Sequence, residues 1–186
     1  MIGNKPFNIV VFGCDNTGKT TLCSGLEEYY RSKHNLKVNM VHSLGPNKTV
    51  DEQIEFMKLS FNNNVSDMNI FDRFPIIEET VCGTVLRNHN NFTENSFKGL
   101  FGYSYLRYVD IFVFCNPGLQ KIINWGTREQ MEGVKENVVD LMNGYNKFAY
   151  ELMQNGFEVF EYNYCINSSY DTLVAKTENM IKEKGE

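Results

Sequence analysis

Hydrophobic positions along this chain switch repeatedly between two spacings. Short, nearly unbroken apolar runs fall at 8–12, 38–42, 68–71, 109–115 and 157–162. Runs of this kind predict strands buried on both faces. Between them, apolar or small residues recur three and four apart, the period of a helix with one face on a core. Leu22, Gly25, Leu26, Tyr29 and Tyr30 form one such stripe, and Ile54, Met57 and Phe61 a second. Val134, Val138, Leu141, Tyr145, Phe148 and Leu152 form a third, predicting a long helix over 131–155. Leu173, Thr177 and Ile181 form the last.

Boundary signals agree with this partition. Thr49-x-x-Glu52 has the form of a capping box, in which side chain and backbone satisfy each other at a helix start. Pro75 suits a first helical position, and Glu78 and Glu79 suit the positive end of the helix dipole. Asn116-Pro117 predicts another helix start directly after the fourth strand, and Ser168-x-x-Asp171 a final one. Strands alternating with helices need crossover connections, so the expectation is an α/β fold: a five-stranded parallel sheet with helices on both faces. In such sheets ligands bind beyond the carboxyl ends of the strands.

Composition narrows the partners. The 186 residues suit one domain over 1–186, and the formal net charge is −5. An acidic balance argues against a nucleic-acid partner. No apolar run reaches membrane-spanning length, so no membrane partner is expected. The five cysteines form no C-x-x-C pair, which fits free thiols in a reducing, cytoplasmic setting and gives no zinc site.

The first strand runs into Gly13-Cys14-Asp15-Asn16-Thr17-Gly18-Lys19-Thr20, which fits G-x-x-x-x-G-K-[ST] between a strand and a helix. Gly13 and Gly18 allow backbone angles that a side chain would forbid. Backbone groups of Gly13, Asn16, Thr17, Gly18, Lys19, Thr20 and Thr21 are then candidates to cradle phosphate oxygens at a helix amino end. Lys19 supplies a point charge for the outer phosphates, and Thr20 a hydroxyl for Mg2+. The expected ligand is a nucleoside triphosphate.

A second constellation, Asp72-Arg73-Phe74, ends the third strand. Asp72 is placed to help hold Mg2+, Arg73 to fork onto a phosphate and Phe74 to lie against a flat base. The bland alternative is a strand-end salt bridge with an aromatic plug. Asp15 is unusual beside phosphates, which repel a carboxylate. It either accepts from a sugar hydroxyl or shapes the loop through an Asx turn.

Together, Gly13-x-Asp15-x-x-Gly18-Lys19-Thr20 and Asp72-Arg73-Phe74 resemble the thymidylate kinase family, especially its divergent phage-encoded members. The resemblance implies a P-loop kinase fold, a homodimer, and transfer of the γ-phosphoryl of ATP, with Mg2+, to dTMP or a related pyrimidine deoxynucleoside monophosphate. It implies that Asp15 contacts the deoxyribose and that Arg73 grips the acceptor phosphate. Two departures bear on the base. Phe12 stands where the family often has an acid, and "PIIEETVCG" replaces a Ser/Ala-rich run with Tyr-Gln.

The family closes a lid, here about 120–136, over the donor. The phosphate loop has no arginine, so Arg128 is the candidate catalytic cation, or else a solvated charge near a helix start. Lys121 lies close by, and Trp125 either anchors the lid or packs. The loop around 163–167 is a candidate adenine contact, and in "FGYSYLRY" Tyr103, Tyr105 and Arg107 reach the base or a partner subunit, or else the stretch forms core. A deoxynucleoside kinase is the rival reading. It needs a base for a hydroxyl proton, and the second strand ends in "VHSLGPNKT" with no acid before Asp51. His42 or Asp72 could fill that role. A guanine-nucleotide switch is disfavoured, because N-K-x-D is absent and the third strand does not end in D-x-x-G.

Overall fold

The computed structural model describes residues 5–43, 48–62, 65–94, 96–124 and 133–185. Its centre is a sheet of β1 (Phe7–Phe12), β2 (Val38–His42), β3 (Met68–Asp72), β4 (Ile111–Cys115) and β5 (Val159–Tyr162), in the order β2-β3-β1-β4-β5. Every neighbouring pair is parallel. The helices are α1 (Lys19–His34), α2 (Val50–Phe61), α3 (Pro75–Glu78), α4 (Thr84–Arg87), α5 (Asn91–Glu94), α6 (Ser96–Ser104), α7 (Leu119–Asn124), α8 (Val138–Gln154) and α9 (Ser169–Gly185). The expected α/β architecture is therefore the observed one.

Side chains alternate across each strand, and β1 feeds both faces of the sheet. Ile9 and Val11 pack with Leu22, Leu26 and Tyr30 of α1 and Leu173 of α9. Val10 and Phe12 pack with Met57 of α2 and Leu141, Tyr145 and Phe148 of α8. Each such fully buried side chain contributes roughly 1.5–3 kcal/mol. Polar residues in the strands are paired: Asn69 donates to Asn8 Oδ1 at 2.8 Å and accepts from Asn39 at 3.0 Å. That amide ladder lets three asparagines sit in the sheet without orphaned groups.

The chain runs from β1 outward to β2 and returns to β3 before crossing to β4. The carboxyl ends of β1 and β3 are thereby neighbours, with Val11 opposite Asp72. Two loops of candidate chemistry therefore face one crevice.

Several boundaries moved. Residues 109 and 110 precede β4, because Leu106 O accepts from the Val109 amide and the Asp110 carboxylate caps the Asn8 amide at 2.7 Å. Asn116-Pro117 opens no helix; Gly118 intervenes at φ 91° and α7 starts at Leu119. The long helix starts at Val138 after turns over 133–137, where Gly133 takes φ 80°. The capping box forms as expected, with Thr49 Oγ1 accepting from the Glu52 amide at 3.2 Å and Glu52 accepting from the Thr49 amide at 2.8 Å. Pro75 does open a helix, but that helix widens into a π turn over Glu79–Gly83 between α3 and α4. Gly144 of α8 packs against this turn; a Cβ there would meet Val81 Cγ1 at 2.9 Å.

Candidate active site

β1 ends at Phe12 and the phosphate loop turns at once. Gly13 adopts φ 141°, and a Cβ there would lie 2.6 Å from the Cys115 carbonyl oxygen, so only glycine fits. Asn16 and Gly18 also take positive φ, 63° and 82°. No side chain caps α1 at Gly18, and its first turn carries no acid. The amino end of α1 is thus open to an anion. Inside the loop, Thr17 Oγ1 donates to the Cys14 carbonyl at 2.8 Å. Lys19, buried, donates to the same carbonyl at 2.6 Å and lies 3.9 Å from Asp15 Oδ1.

On the α1 side of this loop, Thr20 Oγ1 donates to Asp72 Oδ2 at 2.8 Å. The imidazole Nδ1 of His42, at the end of β2, is 3.7 Å from the same oxygen. Asp72 Oδ1 is buried and has no hydrogen-bond partner among the described residues. An orphaned carboxylate oxygen beside a hydroxyl fits a hard cation that takes oxygen ligands. Among the described residues no group of three or more His, Cys, Asp or Glu could hold a metal. Two protein oxygens, completed by phosphate and water, suit Mg2+ rather than an all-protein cage.

On the other side, Arg73 leaves β3 with φ 74°, and its amide donates to the Val11 carbonyl at 3.0 Å. Its Nη2 donates to Asp15 Oδ1 at 2.5 Å, and its Nη1 to Glu78 Oε2 at 3.3 Å. Burial would lower the guanidinium pKa, but Glu78 and then Asp15 outweigh it and raise that pKa above its usual value. Glu78 Oε1 accepts from the Tyr145 hydroxyl at 3.1 Å, and Cys82 Sγ lies 3.8 Å from Oε2 and 3.2 Å from Tyr145. Burial pushes the Cys82 thiol up to about 12 and holds Tyr145 well above the usual phenol range. Lys19 and Arg73 thus converge on one atom, Asp15 Oδ1.

Solved structures with the same chain path identify the architecture. The chain is similar to the YorR protein of Bacillus subtilis, solved in complex with phosphorylated GDP, at TM-score 0.65 and 15% identity, covering 92% of this chain and 95% of that one. The chain has the P-loop kinase fold. It is also similar to deoxyadenosine kinase from M. mycoides with bound dCTP, at TM-score 0.59 and 15% identity over 93% and 100% of the two chains. Thymidylate kinase from Ehrlichia chaffeensis gives TM-score 0.56 and 14% identity over 93% and 99%. No protein-family model matches the sequence, and no curated protein matches it.

Within this P-loop fold, Asp15, Lys19, Thr20, Asp72 and Arg73 come together as the sequence placed them. Phe74 does not join them. It is fully buried, edge-on to Phe71 at 5.5 Å and to Phe61 at 5.9 Å, and cannot lie against a base. Its extended backbone before Pro75 turns the ring into the core, so the aromatic-plug alternative holds for this residue. Arg128 and Trp125 lie outside the described residues; Lys121 is exposed on α7. The loop after β5 does reach the phosphate loop: a Cβ at Gly18 would lie 3.2 Å from the Tyr164 ring. Tyr105 is core, while the Tyr103 hydroxyl meets Thr80 Oγ1 at 2.9 Å. Sequence reading missed the roles of Glu78, Cys82 and Tyr145. A tyrosine on an apolar helical stripe carries a hydroxyl that must find a partner when buried, and that was the available signal.

Proposed function

We propose that this chain transfers the γ-phosphoryl of ATP to a deoxynucleoside monophosphate. The observation that carries this reading is the convergence of Lys19 and Arg73 on Asp15 Oδ1 from opposite loops. Two polyanions must meet in such a reaction, and opposed cations are what it demands of a protein. Lys19 exchanges the Cys14 carbonyl for the donor's outer phosphates, beside the loop amides and the α1 amino end. Arg73 forks onto the acceptor phosphate, and Asp15 then accepts from the deoxyribose. Thr20 and Asp72 hold Mg2+, which when bound neutralises charge on the donor phosphates. A monophosphate is already anionic, so no side chain need take a hydroxyl proton. Arg128 completes the charge on the transferring group from the 120–136 segment, Tyr164 borders the donor, and the chain works in the cytoplasm as a homodimer.

One observation favours a second reading, transfer to the 5′-hydroxyl of a deoxynucleoside. The His42–Asp72 pair at the ends of β2 and β3 could accept a hydroxyl proton. A single panel separates the two: ATP with each deoxynucleoside and each deoxynucleoside monophosphate, scored for ADP. ADP dependent on monophosphates, and lost in Lys19→Ala, supports the proposal. ADP dependent only on nucleosides supports the alternative, and ADP formed equally without any acceptor refutes both.

A further inference from the structure

Among the described residues, three buried side-chain polar atoms have no hydrogen-bond partner: Asp72 Oδ1, Gln53 Oε1 and Asn16 Nδ2. Two of them belong to the crevice at the ends of β1 and β3, and their chemistry is opposite. Asp72 offers an acceptor, which suits a cation. Asn16 offers a donor, in the middle of the phosphate loop. A buried donor left unpaired is costly, so an orphaned one in a folded protein needs an explanation.

Asn16 also holds φ 63°, in the left-handed region that favours glycine. Asparagine enters that region for two ordinary reasons. One is to end a helix, as Asn35 does for α1 and Asn88 for α4. Asn16 stands before α1 instead. The other is a hydrogen bond from its own amide to nearby backbone, and Asn16 Nδ2 makes none. The neighbouring side-chain donors are all engaged: Thr17 and Lys19 share the Cys14 carbonyl, and Thr20 meets Asp72. The Asn16 amide is the donor left over, and it lies where backbone amides gather to receive an anion. Being neutral, it adds a hydrogen bond without competing with Lys19 and Arg73 for Asp15. A hydrogen bond to an ionised oxygen is of the short, strong kind. Both orphaned atoms of the crevice are satisfied by one ligand, a triphosphate carrying Mg2+.

We propose that the side chain of Asn16 is a further binding group for the phosphoryl donor, with Nδ2 donating to an oxygen of its outer phosphates. This goes beyond the share of the Asn16 backbone in the cradle. It rests on the reading that the loop holds a triphosphate donor, and its test is binding, which needs no acceptor.

The test is calorimetric titration of the full-length parent and of Asn16→Gly with ATP and with inorganic tripolyphosphate, both in Mg2+, beside the melting temperature of each protein without ligand. Glycine takes φ 63° without strain and keeps the backbone amide, so the variant should melt at the parent's temperature or above. Its affinity for both ligands should nevertheless fall about tenfold or more, the scale of one hydrogen bond to a charged group. A side chain that only shapes the loop predicts the opposite, because glycine suits that backbone better. Unchanged or tighter binding of both ligands therefore overturns the inference. A loss on ATP with tripolyphosphate unchanged puts the contact on the nucleoside and also overturns it, as does a parent to which tripolyphosphate does not bind. Asn16→Asp has the same shape and no donor, and it guards against a loosened loop if glycine lowers the melting point. It should bind ATP more weakly than Asn16→Gly does, and parent-like affinity overturns the inference. If these titrations come out as expected and no deoxynucleoside monophosphate is phosphorylated, the reaction proposal fails and the role of Asn16 stands.

Discussion

Arg73 is the residue on which the site's electrostatics turn, and truncating it separates charge from backbone. Its guanidinium is 29% exposed and lies between two carboxylates whose side chains are 11% and 16% exposed. Arg73→Ala leaves Asp15 and Glu78 without the guanidinium that bridges them, with Lys19 3.9 Å from Asp15 Oδ1. Removing one partner from a fully buried pair costs about 3–5 kcal/mol, and partial exposure reduces this to roughly 2 kcal/mol here. For a chain of this size that loss lowers Tm by about 4–8 °C. The residue also holds φ 74°. Alanine keeps that strain and glycine relieves it, so Arg73→Gly should be about 0.5–1 kcal/mol more stable than Arg73→Ala after glycine's own entropy cost. Calorimetric melting of the three proteins without ligand reads both numbers. A melting point for Arg73→Ala at or above the parent's refutes the claim that the two carboxylates depend on the guanidinium. Equal melting of the glycine and alanine variants refutes the backbone part. In the kinase assay, Arg73→Ala should raise the acceptor KM and leave the KM for ATP alone; a parallel rise in both would remove Arg73 from the acceptor side.

Three further outcomes follow from the same geometry. Gly13→Ala drives a Cβ toward the Cys115 carbonyl at 2.6 Å, so the thermal shift produced by ATP should disappear. Asp72→Asn discards the carboxylate whose Oδ1 is orphaned, so activity should require about tenfold more Mg2+ or greater; an unchanged Mg2+ titration removes Asp72 from the metal site. Burial raises the Cys14 thiol to about 11 and the Cys82 and Cys115 thiols to about 12, raises Cys23 as well, and leaves Cys165 exposed. The thiolate is the reactive form, so a disulfide reagent at pH 7 should modify one cysteine rapidly, and Cys165→Ser should abolish that phase.

Local patterns determined much of this. Near-continuous apolar runs placed all five strands. The Thr49 capping box and Pro75 placed two helix starts, and glycine spacing placed the phosphate loop, because each signal acts within a few residues. The boundaries that moved did so through contacts that spacing cannot show. Asp110 is drawn from β4 to cap Asn8, a residue far away in sequence, and Gly133 and Gly118 take positive φ where an apolar stripe or a proline had predicted helix.

By itself, then, the sequence determined the sheet, the phosphate loop and the pairing of that loop with Asp72 and Arg73, since motif chemistry and strand ends are written in consecutive residues. Only the tertiary structure decided what those residues do to one another. Strand order β2-β3-β1-β4-β5 brought Arg73 onto Asp15, helix packing through Gly144 laid Tyr145 against Glu78, and the extended turn before Pro75 sent Phe74 into the core. Hydrogen bonds between residues separated by whole elements depend on register and packing, which no local pattern encodes.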